Sequence, residues 1–85
     1  MKPSPNVVTQ EIEGELVLLD LSGERYFSLD SVGARIWQLL GEQDGDVDRV
    51  VADMLSEFDV DEPTLRRDID ALLKRLDEAR LLVAE

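Results

Sequence analysis

A serine behind an aspartate at the head of an apolar run is where a carrier protein takes a phosphopantetheine arm. The stretch RYFSLDSVGARIW, residues 25–37, offers that arrangement in Asp30-Ser31. Little other covalent chemistry is open to the chain. It has no histidine and no cysteine, so imidazole bases, thiolate nucleophiles, disulfides and nearly every zinc or haem site are excluded. An enzyme built here would have to work with carboxylates, lysine, arginine, serine and tyrosine, and no cofactor is implied.

The carrier role requires Ser31 to stand at a helix start after a long loop that follows an earlier helix. The residues before Asp30, LLDLSGERYFSL, hold instead a glycine turn and a β-rich run without helical period. Asp30 or Ser31 is therefore expected to act as an N-cap, accepting a hydrogen bond from a first-turn N–H, worth about 1 kcal/mol.

The elements that position these residues follow from periodicity. Val7 to Glu13 alternates, Glu15 to Leu21 is nearly continuous in β-prone residues, and RYFSL makes a third strand. Gly14 supplies the first turn, and Leu21-Ser22-Gly23-Glu24 the second, with Gly23 expected at positive φ. After Leu29 the period becomes helical. Val32, Ile36, Trp37 and Leu40 form one stripe, expected to stop at Gly41. A second helix runs from about Val47 to Phe58 behind Asp46. A third begins at Val60-Asp61-Glu62-Pro63, with Leu65, Ile69, Leu72, Leu76 and Ala79 as its core stripe and Leu73 widening it toward Arg66, Asp70 and Asp77. The tail LLVAE reads as a short extended piece. The result is a single α+β domain over residues 1–85, βββααα and winged helix-turn-helix-like, with residues 1–6 expected to be flexible.

The formal charge of −11 argues against nucleic acid and anionic membranes as partners. Its distribution is uneven. Glu62 to Arg80 carries five basic and five acidic residues, while the rest of the chain holds four basic against fifteen acidic. A DNA-reading third helix would meet repulsion from nearly every side, so a winged-helix regulatory role is the weaker reading. With no apolar run of signal-peptide or membrane-span length, a cytoplasmic protein is expected. The strand RYFSL lacks the lysine, proline or bulge that usually guards a sheet edge. Unless the tail covers it, it can accept an added peptide strand.

The succession VLLDLSGERYFSLDSVGARIWQLL, a helix with Val, Met, Leu and Phe, then Pro-x-Leu-x-x-Asp-Ile-x-x-Leu-Leu-x-x-Leu and a Leu-Leu tail resembles the PqqD-like family of precursor-peptide recognition elements. The likeness runs from about Val7 to Val83 and is greatest to the free-standing members of lasso peptide biosynthesis. It implies a non-catalytic winged-helix domain that binds the leader of a ribosomally made precursor as an extra strand and delivers it to a leader-cleaving cysteine protease and a macrolactam-forming cyclase. Carried onto this chain, the peptide contacts fall on Arg25, Tyr26, Phe27, Ser28 and Leu29 of the third strand. On the third helix they fall on Arg66, Ile69, Asp70, Leu73, Lys74 and Asp77. Which face of the strand meets the peptide is left open by the sequence.

Overall fold

The computed structural model describes residues 1–23 and 25–84. The chain runs β1 (Lys2–Pro3), β2 (Val7–Ile12), β3 (Glu15–Asp20), β4 (Arg25–Leu29), α1 (Ser31–Glu42), α2 (Val47–Glu57), α3 (Glu62–Glu78) and β5 (Leu82–Val83). Strands β2, β3 and β4 form an antiparallel sheet in that order, so β3 is central and β2 and β4 are edges. This is the βββααα order expected from the sequence, with a small addition at the termini.

The β2–β3 connection is a two-residue turn, Glu13-Gly14, with φ of 50° and 85°. Positive φ at both central residues suits the right-handed twist of a hairpin, and Gly14 adopts it without steric cost. Gly23 does not take the positive φ expected of it. Space is its reason: a Cβ there would stand 2.9 Å from Asp20 Oδ2, whose other oxygen ties down Ser22.

Each helix starts on an aspartate. Asp30 accepts from Gly33 N at 2.8 Å, Asp46 from Arg49 N, and Asp61 from Thr64 N. The α1 cap is thus Asp30, and Ser31 is simply its first helical residue. Helix α1 passes through Gly41, the expected stop, to Glu42. The reversal falls instead on Asp44 and Gly45, where Gly45 N donates to Leu40 O.

One face of the sheet packs on the helices. Leu16, Leu18 and Leu29 join Ile36, Leu40, Val50, Met54, Ile69 and Leu76 in a continuous core. Aliphatic side chains do most of the filling, and Trp37 is the one buried aromatic. The bidentate pair from Arg35 to Glu57, at 2.7 and 2.8 Å, ties α1 to α2.

The chain ends meet: Lys2 and Pro3 pair with Val83 and Leu82, and Ser4 N donates to Leu81 O, so the tail forms the short extended piece expected of it. That pairing also takes the C-terminal strand into a second, separate sheet, away from the β4 ladder.

Candidate functional site: an open strand edge beside a groove

The hairpin geometry decides which groups β4 offers. A two-residue turn closes on a hydrogen-bonded pair, here Ile12 with Glu15. Along a strand the N–H and C=O of successive residues point to opposite sides, so Glu15, Val17 and Leu19 bond toward β2 and Leu16, Leu18 and Asp20 toward β4. The bond from Leu21 N to Asn6 O continues this alternation. The partners of Leu16, Leu18 and Asp20 are Leu29, Phe27 and Arg25. Tyr26 and Ser28 are therefore the residues whose N–H and C=O face outward at the edge.

Side chains follow the complementary alternation. Phe27 and Leu29 lie on the helix side of the sheet, half-buried and buried, whereas Tyr26 and Ser28 are exposed on the outer face. Strand β4 thus offers main-chain groups from one pair of residues and a wall of apolar side chains from the other.

Beside this edge lies an open groove of about 530 Å³. Ser28 and Leu29 form its strand wall, and Val32, Gly33 and Ile36 of α1 its end. Asp68, Leu72 and Arg75 form its helix wall. The guanidinium of Arg75 stands 5.0 Å from the centre of the Phe27 ring, so a cation–π contact spans from α3 to β4.

The other edge is built differently. On the helix side of β2, Thr9 and Glu11 are polar and exposed, a charged placement that discourages strand addition. A second, smaller groove near the hairpin turn is lined by Glu11, Leu16, Ala34, Arg35, Gln38 and Phe58, among others.

Of the strand residues expected at the site, Ser28 and Leu29 line the groove, Phe27 adjoins it through Arg75, and Arg25 and Tyr26 continue the edge. The six α3 residues do not join them. Arg66 is drawn to the α2 side by Asp48, at 3.1 Å, and to its own helix by Glu62. Asp70, Leu73 and Asp77 share that flank at helical spacing, Lys74 is exposed away from the core, and Ile69 is fully buried. The flank that faces β4 is Asp68, Leu72 and Arg75, on the opposite side of the core stripe. The sequence held one clue to it: with Phe27 on the strand, an arginine on the helix could serve as its partner.

Among the described residues no cluster of three or more acidic side chains is placed to hold a metal ion. No described helix is long and apolar enough to cross a membrane. Asp20, Glu57 and Asp61 are held below the usual carboxylate range, chiefly by side-chain hydrogen bonds from Ser22, Arg35 and Thr64.

The outer face of the sheet carries a further feature. Val8, Leu19 and Tyr26 are cross-strand neighbours in one row, exposed to 45%, 42% and 74%, with Ile12 nearby at 47%. An apolar row left open on a small acidic domain is a surface that protein partners use.

Comparison with known proteins gives this geometry a setting. The sequence pattern of coenzyme PQQ synthesis protein D (PqqD) matches residues 15–82. Among curated proteins no sequence matches the chain. Two solved structures are similar over nearly their whole length. TbiB1 in complex with the TbiA(beta) leader peptide is 41% identical, with both chains fully covered and a TM-score of 0.87. Lasso peptide synthetase B1 complexed with its leader peptide is 28% identical, covering 98% of this chain and 96% of the other, with a TM-score of 0.82. With a family pattern that takes in everything from the start of β3 to β5, this chain belongs to the PqqD family.

Proposed function

We propose that this domain binds the leader segment of a ribosomally made precursor peptide as a fourth strand on β4. The observation that carries the reading is the pairing of an open edge, with the main-chain groups of Tyr26 and Ser28 facing outward, with the adjoining groove of Leu29, Ile36, Leu72 and Arg75. Main-chain pairing supplies affinity, and alternate side chains of the peptide enter the groove. The likeness to two leader-bound proteins, one of them a lasso peptide synthetase B1, supports the same reading.

In this role the domain makes and breaks no covalent bond. It holds the precursor for a leader-cleaving cysteine protease and a macrolactam-forming cyclase, in the cytoplasm where the peptide is made. The exposed row of Val8, Leu19 and Tyr26 is the surface that suits such a protein partner, since an added strand would extend the same face.

A proline at Ser28 tests the strand pairing. It removes an outward N–H without touching the β3–β4 ladder, so the fold should persist while peptide affinity drops roughly 10- to 100-fold, the effect of about 1–3 kcal/mol. Isothermal titration with the leader encoded beside the gene, alongside a thermal melt, measures both. Unchanged affinity in a folded Ser28→Pro protein would remove strand addition as the mode of binding.

A further inference from the structure

The outward groups of Tyr26 and Ser28 set the frame in which a peptide is read. If a strand pairs with both, its residue between those two pairs lies opposite Phe27, and the residue two positions along lies opposite Leu29. Directly opposed residues share a face, so both side chains point to the helix side and into the groove. The two positions meet different chemistry.

Opposite Leu29 the surroundings are apolar, from Val32, Ile36 and Leu72, with the carboxylates of Glu15, Asp30 and Asp68 around them. Opposite Phe27 stands Arg75. Arg35 and Arg66 are each engaged by carboxylates, yet Arg75 makes no ion pair among the described residues of a chain with twenty acids. It rests on an aromatic ring instead. A cation–π contact uses none of the guanidinium's N–H donors, so they remain open to another partner.

Resting on the strand-addition reading above, we propose that Arg75 is a specificity residue. It selects an acidic side chain on the bound peptide opposite Phe27, two residues from an apolar side chain opposite Leu29. The order is fixed by the groove itself. An acid shifted to the Leu29 position would face Glu15, Asp30 and Asp68, whereas at the Phe27 position it meets the guanidinium. This runs against the field of the whole domain, which at −11 favours basic peptides everywhere else. A local acid preference on so acidic a protein is therefore a distinctive signature.

Random dodecapeptides displayed on phage, panned against the full chain and against Arg75→Gln, Arg75→Glu and Ser28→Pro, provide the test. Arg75 is exposed, so these variants should melt within a few degrees of the parent. Peptides selected by the parent should carry Asp or Glu two residues from Leu, Ile, Val or Phe. In a synthetic copy, replacing that acid by its amide should weaken binding to the parent about tenfold and leave binding to Arg75→Gln unchanged. Panning on Arg75→Glu should return Lys or Arg at the same position. If selected peptides need Ser28 unaltered but show no acid, or keep the acid preference with Arg75→Gln, the role of Arg75 is refuted and strand addition stands. If the peptides bind Ser28→Pro equally well, strand addition itself fails, and this inference with it.

Discussion

Asp20 ends β3 with its side chain buried, and its Oδ1 takes bonds from both the backbone N–H and the hydroxyl of Ser22, at 3.1 and 2.8 Å. Those bonds hold its carboxyl below the usual range, with the Ser22 hydroxyl the largest cause. A carboxyl whose folded pKa is lowered adds stability above its unfolded value, near about 4, and loses it as pH falls through the folded value. The melting temperature of Asp20→Asn should therefore lie below the parent's at neutral pH, and the gap should close below about pH 4. A gap of the same size at pH 3 and pH 7 would mean that shape, not charge, matters at this turn.

Among the elements, the β1–β5 pair makes the clearest stability prediction. Two short strands clamp the chain ends together, and Leu82 of β5 and the adjoining Leu81 are buried. Removing residues 1–4 should cost about 1–3 kcal/mol through lost hydrogen bonds and exposed apolar surface, while the exposed Lys2–Asp44 pair adds little. Urea denaturation measures the loss, and leader affinity should be retained because β4 belongs to the other sheet. The larger elements were legible in the sequence, since alternation and β-prone runs marked β2 to β4, cap residues and Pro63 marked the helix starts, and leucine spacing marked the α3 core row. The β1–β5 clamp was not, because a two-residue strand has no period and its partner is some eighty residues away. Which α3 flank borders the groove was not legible either. A helical stripe is bordered by two flanks, and only tertiary placement shows that Asp68, Leu72 and Arg75 face β4 while Arg66 and Asp70 do not.

On the scale of the whole molecule, a charge of −11 is confined to a body with a Cα radius of gyration of 12.3 Å. Few of its carboxylates are paired, so self-repulsion opposes the compact state and salt should relieve it. Raising sodium chloride from about 10 mM to about 150 mM shortens the screening length from about 30 to 8 Å, and the melting temperature should rise by a few degrees. A fall would show that the visible ion pairs outweigh the net repulsion. The same screening acts on a second property. Strand β4 presents the outward N–H and C=O groups of Tyr26 and Ser28 at an open edge, and the charge that two copies share opposes their pairing there. Acid or concentrated salt, which weakens that repulsion, should therefore favour edge-to-edge association of the peptide-free domain. A leader paired with β4 would occupy those groups, so its addition should suppress that association.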